Sequence, residues 1–410
     1  MQNSSLETWK WITGPDAAEL LSAASGVDAG DVQSISRLRK RWNADLVGTA
    51  LELLSARRRA VMKFPLHPPT ACDQPGVEQA TPECIADYKA RRIHDALSGP
   101  AHVLDLACGI GGDAMALARS HHATAVDLDP IRCWMTETNA GCSTVQGDAT
   151  RIEIQADAFH LDPGRRDERT GRRLRSPASW QPPLSCVEAL ADRFQGGLVK
   201  LGPGIPFEDV PDIEGAELEF VSLGGRLSQS HLWLGTLATA PGHRRATMLP
   251  LGLTESGPPD YSDLRHDAGF DSVLCVPDPA LERSGLHGPV SRRFGLQEPV
   301  AGLGLFTGDA PPSSPWFTSF HVEATMPWRA DRVAHWLRQH DTGHVEIKTR
   351  DRAADPDQLQ SRLSGSGSIP RSVFVLRMGR PVVAVITRRV DNSTVSIESN
   401  REPDGDPVLG

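Results

Sequence analysis

Residues 103–118 read VLDLACGIGGDAMALA. Four residues with the pattern of a buried strand run into Gly109, Gly111 and Gly112, and an alanine-rich helix begins at once. Glycine takes positive φ without steric cost and lets a backbone lie against a ligand. Three glycines between a strand and a helix therefore predict either a tight corner or a loop that cradles a bound group. In an open α/β sheet such a loop stands at the carboxyl end of its strand, where ligands bind. If the loop is a cradle, other strands should end beside it on polar groups.

The flanking sequence supplies them. From 101 to about 240, the segments HVLDL, ATAVDL, STVQG, ADAFHLD, GGLVKLG, ELEFVSL and HLWLGTLA read as strands, with helices over 112–120, 130–140 and 184–194. The last two strands follow each other without a helix. This alternation predicts an α/β fold with a mostly parallel, doubly wound sheet and an antiparallel edge. The first four strands end on chemistry in order: Asp105 and the glycines; Asp127 in AVDLDP, 22 residues after Asp105; Asp148 in QGDAT; Asp162 and Pro163 in HLDPGRR. A carboxylate at Asp127 can accept both hydroxyls of a ribose. Asp148 is placed to read an adenine amino group, and Asp162 to stand beside a reacting atom.

The 410 residues are enough for two or three domains. Residues 1–98 read as helical, in PDAAELLSAAS, NADLVGTALELLSARRRAVMKF and TPECIADYKARRIHDAL, with Thr81 as a capping threonine before Pro82. The α/β domain is expected over 99–240. Residues 241–327 are a Gly- and Pro-rich irregular connection with short strands and a helix around 278–286. A compact α/β unit fills 328–392, ending in a hairpin that turns at Gly379, and 393–410 form a tail. Net charge is −9, which argues against a generally basic nucleic-acid coat, yet RLRKRW, ARRRAVMK, KARR and RRDERTGRRLR are local basic runs. No apolar run approaches a membrane span, and the N-terminus lacks the pattern of a signal peptide. The seven cysteines form no CxxC, and His121, His122 and His160 lack ligand spacing, so no metal site is expected. A cytoplasmic protein is the expectation.

Taken together, VLDLACGIGGDAMALA, AVDLDP, QGDAT and HLDPGRR resemble the four motifs of the class I S-adenosylmethionine-dependent methyltransferases. The resemblance covers about residues 75 to 240 and implies a Rossmann-like, seven-stranded sheet. GVEQATPECIADYKA (76–90) is similar to the segment that closes over the cofactor in trimethylguanosine synthase-like RNA methyltransferases, where Gln79 and Thr81 are the matching positions. The series VEIKTRD…LQSRLSG…VFVLRMGRPVVAVI resembles the THUMP-like domain of a group of bacterial methyltransferases, and THUMP domains proper bind RNA. The resemblance implies S-adenosyl-L-methionine held by Gln79, Thr81, Asp105, Gly109, Gly111, Asp127 and Asp148. It implies catalysis at Asp162 and Pro163, and substrate contacts from Arg165, Arg166 and Trp180. The basic residues Lys348, Arg350, Arg352, Arg371, Arg377 and Arg380 would serve RNA in the C-terminal unit. The turn Asp162-Pro163-Gly164-Arg165-Arg166 lacks the second proline and the aromatic of many amino-group methyltransferases, so an arginine plane or Trp180 is left to stack on a base. The expected activity is methylation of a base amine in RNA. A small-molecule or protein methyltransferase, and a non-catalytic RNA-binding protein that keeps the fold, stand as alternatives.

Overall fold

The computed structural model describes residues 4–28, 30–166, 172, 174, 176–260, 269–350 and 355–390. The chain divides into two compact units, Met1–Pro258 and Pro259–Gly410.

Six helices open the first unit: α1 (Leu6–Thr13), α2 (Ala18–Ala24), α3 (Val32–Arg39), α4 (Ala44–Lys63), α5 (Gln74–Gln79) and α6 (Glu83–Ala96). Ser5, Asp31, Asn43 and Asp73 each accept a backbone N–H of the helix that follows, and such caps contribute about 1 kcal/mol apiece. The apolar stripes of these helices place Trp9, Ile12, Leu20, Val47, Leu53 and Phe64 in one core with Ile110 and Met135 of the sheet layer. Thr81 does not cap α6. Pro82 occupies the N-cap position without a side-chain bond, and the Thr81 hydroxyl donates inward to Asp113 Oδ2 at 2.7 Å. A buried carboxylate is the stronger acceptor for it.

The sheet of this unit contains β1 (His102–Leu106), β2 (His122–Asp127), β3 (Ser143–Gln146), β4 (Ala158–Leu161), β5 (Gly196–Leu201), β6 (Glu217–Leu223), β7 (Arg226–Gly235), β8 (Arg244–Leu249) and β9 (Leu253–Gly257). Helices α7 (Gly112–Ser120), α8 (Pro130–Ala140) and α9 (Val187–Arg193) connect its parallel strands. The order is β3-β2-β1-β4-β5-β7-β6-β8-β9, with β1–β5 parallel and β7 antiparallel to both of its neighbours. The sheet therefore has nine strands where seven were expected. The additional β8 pairs parallel to β6, and β9 pairs antiparallel to β8. Their sequences, RRATML and LTESG, carry little of the apolar alternation that marks a strand. Strand order reverses between β1 and β4, so the crevice of this sheet opens at their carboxyl ends, beyond Leu106 and Leu161.

The second unit holds β10 (Val273–Pro277), α10 (Pro279–Ser284), α11 (His287–Arg293), β11 (Phe306–Gly308), β12 (Phe317–Pro327), α12 (Ala330–Gln339), β13 (Thr342–Thr349), α13 (Pro356–Leu363), β14 (Ile369–Arg377) and β15 (Val382–Arg389). Its six-stranded sheet runs β11-β10-β12-β15-β14-β13. The β14–β15 hairpin turns with Gly379 at φ +72°. Among the described residues no helix is long and apolar enough to cross a membrane.

Candidate active site

The glycine loop turns between β1 and α7 with Gly109 at φ +60° and Gly111 at φ +86°. A Cβ on Gly111 would lie 3.2 Å from Thr136 Cα, whereas one on Gly109 would meet nothing within 4 Å. The loop thus has one face packed on α8 and one face open. Thr136 Oγ1 donates to Gly109 O at 3.0 Å, and Asn139 Nδ2 to Ile110 O at 2.8 Å, which holds the packed face. Asp127, at the end of β2, accepts Gly109 N–H through Oδ2 and Asp129 N–H through Oδ1, each at 3.0 Å. Burial raises its pKa, and these two N–H groups oppose the rise. Leu128 beside it is 60% exposed. Asp148 lies past β3, where Oδ1 accepts the Thr150 N–H and hydroxyl; those bonds lower its pKa.

Beneath the crevice runs a chain of buried charge. Asp105 Oδ1 meets His160 Nδ1 at 2.7 Å, and His160 Nε2 meets Lys89 Nζ at 3.0 Å. Lys89 reaches Asp113 Oδ1 at 2.5 Å, and Asp113 Oδ2 accepts from Thr81. Lys200 Nζ, from β5, bonds Thr81 Oγ1 at 3.2 Å and Asp162 Oδ2 at 2.5 Å. Burial alone would raise Asp113, but Lys89, His160 and Lys200 outweigh it and hold the group well below the usual carboxylate range. Burial pushes Lys89 down and Asp105 up. Asp105 Oδ2 is buried and has no partner among the described residues. Over the same edge Lys63, the last residue of α4, donates to Val77 O at 2.8 Å and Glu78 O at 2.9 Å. Burial, and then the charge of Lys200, bring Lys63 down to about 8.

A family model for the THUMP domain-like region matches residues 317–389. The crystal structure of a candidate methyltransferase from Porphyromonas gingivalis W83 superposes with a TM-score of 0.70 at 18% identity, covering 89% of this chain and all of that one, which shows a shared fold. An uncharacterized S-adenosylmethionine-dependent methyltransferase of Mycobacterium tuberculosis strain CDC 1551 is 32% identical over 327 residues, covering 77% of this chain and 86% of that protein; its counterpart in strain H37Rv matches equally. The chain belongs to the S-adenosylmethionine-dependent methyltransferases. Its methyl donor is S-adenosylmethionine. The crevice of the methyltransferase fits that group on three counts: the open face of Gly109, the Asp127 carboxylate at the neighbouring strand end, and the unpartnered Asp105 Oδ2.

The remaining expected site residues of the methyltransferase fall into different settings. Gln79 is exposed at the end of α5, and Thr81 is buried against Asp113 and Lys200. Pro163 is buried beside Asp162. Trp180 is 6% exposed and belongs to the core cluster with Phe159, Leu161 and Leu201, so its ring faces side chains rather than the crevice. The Arg165 guanidinium lies 5.8 Å above that ring, and Arg166 is exposed. Of the arginine-rich run, residues 167–171, 173 and 175 lie outside the described residues, as does Arg352. Some of the basic residues turn inward. Lys89 and Arg92 of KARR are buried, Arg92 against Glu217 at 2.7 Å and Glu219 at 3.3 Å. Arg371 is buried against Glu323 and His340 O, Arg350 pairs with Glu282, and Lys348 with Glu346, while Arg377 and Arg380 are exposed at the hairpin. Sequence reasoning overlooked Lys89, Asp113, His160 and Lys200. Three of these lie inside apolar or helical runs with no local marker; Asp113, directly after the third glycine, was the one with a signal.

Proposed function

We propose that this methyltransferase methylates an exocyclic base amine in RNA, with Asp162 as the group that holds the acceptor. The observation that carries the reading is the state of Asp162 at the end of β4. Its Oδ2 is fixed by Lys200, and its Oδ1 makes no hydrogen bond among the described residues. A carboxylate oxygen in that position suits an N–H donor. The THUMP domain-like match over 317–389 and the arginines at 165 and 166 support an RNA acceptor. The seven cysteines, all unpaired, suit the reducing cytosol in which such a substrate is found.

Bound in the crevice, S-adenosylmethionine supplies an activated methyl group. Gly109, Gly111, Asp105 and Asp127 would hold it, with Asp148 and Gln79 at the rim. The protein's part is alignment and exclusion of water. Asp162 Oδ1 accepts one amine N–H, which turns the nitrogen lone pair toward the methyl position, and afterwards takes up the proton that the nitrogen sheds. Pro163, whose ring fixes the turn, offers its carbonyl as a second acceptor. Arg165 and Arg166 hold the base or its phosphate. Transfer of labelled methyl into the RNA, protein and small-molecule fractions of a bacterial extract tests the reading. Label in RNA is expected, recovered as an N-methylated nucleoside; label confined to another fraction sinks it.

A further inference from the structure

The chain contains six lysines against 37 arginines. Three of the six, Lys63, Lys89 and Lys200, converge at one crevice, Lys89 and Lys200 buried and Lys63 half-buried. A chain that uses arginine almost everywhere else has placed compact point charges here, where a single directed contact is wanted. Lys200 makes that contact most directly. It is 4% exposed on β5, beside β4 in the sheet, with Leu161 opposite Val199. Its ammonium is held from behind by Thr81, whose hydroxyl is itself fixed on Asp113 and approached by Gln229 Nε2 at 3.4 Å. A buried ion pair is a weak source of stability, because desolvation offsets its attraction. Stability alone therefore does not account for Lys200 at the lip of the crevice.

We propose that Lys200 is a positioning residue for methyl transfer: by binding Asp162 Oδ2 it fixes the carboxylate so that Oδ1 alone faces the acceptor. This rests on the reading of Asp162 as the acceptor's contact. The charged groups around the pair come from four elements: Lys63 on α4, Lys89 on α6, Asp113 on α7, and His160 on β4.

Three measurements on the full-length protein decide it. The first is methyl transfer by Asp162→Ala, scored on whichever fraction of the extract the native enzyme labels; unchanged turnover would remove the reading of Asp162 and the role of Lys200 together. The second is Lys200→Met, of similar length and uncharged. Its turnover should fall about thirtyfold or more, with the KM for the acceptor and the calorimetric affinity for S-adenosylmethionine each within about threefold of native. Lys200→Arg, which keeps the charge, should recover part of the loss. The third readout needs no acceptor. With six lysines, ¹³Cε-lysine NMR can follow Lys63, which titrates at about 8. Removing the like charge of Lys200 should move that midpoint upward. A Lys200→Met enzyme with native turnover, or one whose turnover and cofactor affinity collapse together, overturns the proposal. So does a Lys63 midpoint that does not move, since Lys200 would then not occupy this cluster.

Discussion

Asp127 is the residue on which the cofactor assignment turns. Its two oxygens already carry the N–H groups of Gly109 and Asp129, and each oxygen retains a further lone pair for a hydroxyl. Replacing it with alanine should remove the two charge-assisted bonds proposed to the ligand, on the order of 2–3 kcal/mol. Titration calorimetry should show S-adenosylmethionine affinity falling at least tenfold. Because the same change frees the glycine loop, the ligand-free protein should also melt lower, which a role limited to the ligand would not produce. Nearby, Ala107 adopts φ +61°, a left-handed conformation that costs an L-residue with a Cβ roughly 1–2 kcal/mol. Ala107→Gly relieves that strain against a smaller gain in unfolded-chain entropy. Urea unfolding should show the variant more stable by about 0.5–1 kcal/mol; a loss of stability would mean that the alanine methyl packs more favourably than its backbone strains. At this scale the sequence exposed the residues that end strands, Asp127 and Asp162, because turn chemistry marks them. It hid Lys200 and His160, whose neighbours in GGLVKLG and ADAFHLD are those of any buried strand, and whose meaning comes from cross-strand partners 38 or more positions away.

At the scale of elements, the helices before the sheet are part of the site. Asp73, the cap of α5, grips Arg132 of α8 with both oxygens at 2.7 and 2.8 Å, and Asn139 of α8 binds Ala71 O and Ile110 O together. Lys63 then ties α4 to the carbonyls at the end of α5, just before the segment carrying Thr81. Helical periodicity revealed these helices but not their attachment, because an Asp–Arg clamp between residues 73 and 132 leaves no trace in either local pattern. Lys63 makes the attachment pH-dependent. The unfolded chain holds this proton to about 10.5, while burial and Lys200 make the folded chain release it at about 8. Between those values the unfolded state binds more protons, so this group makes stability rise with pH, and its full cost is felt below about 8. The melting temperature of Lys63→Met should therefore rise less from pH 8 to pH 10 than that of the native protein. Parallel curves would show that the lysine is not desolvated.

For the whole molecule, alternation of strands and helices predicted a doubly wound sheet, and the structure has one, in the order β3-β2-β1-β4-β5-β7-β6 with the antiparallel β7 inside it rather than at its edge. That the short strands expected after 240 extend this sheet was not legible: β9, at the rim, has no buried residue, and β8, between β6 and β9, buries Ala246–Leu249 but opens on two arginines. In the second unit the hairpin at Gly379 was legible from its turn, whereas β12 was not, although Val322, Ala324 and Met326 alternate with exposed His321, Glu323 and Thr325 along its outer half; the strand begins in the Gly- and Pro-rich stretch that reads as irregular. The division after Pro258 matters for any attempt to separate binding of cofactor from binding of substrate. A chain cut near 325 would end inside β12, Phe317–Pro327, and carry half of a foreign sheet. A chain ending at 258 keeps all nine strands of the first sheet and every residue proposed to hold S-adenosylmethionine. That fragment should bind the cofactor within about threefold of the native affinity. It should bind RNA at least tenfold more weakly, with a shallower dependence on salt, because phosphate contacts set that slope at roughly one per lost charge pair. Filter binding over a range of salt concentrations, alongside calorimetry, measures both. Equal RNA affinity with an equal salt slope would assign recognition to the helices and the Arg165–Arg166 turn of the first unit, and leave the THUMP-like unit another role.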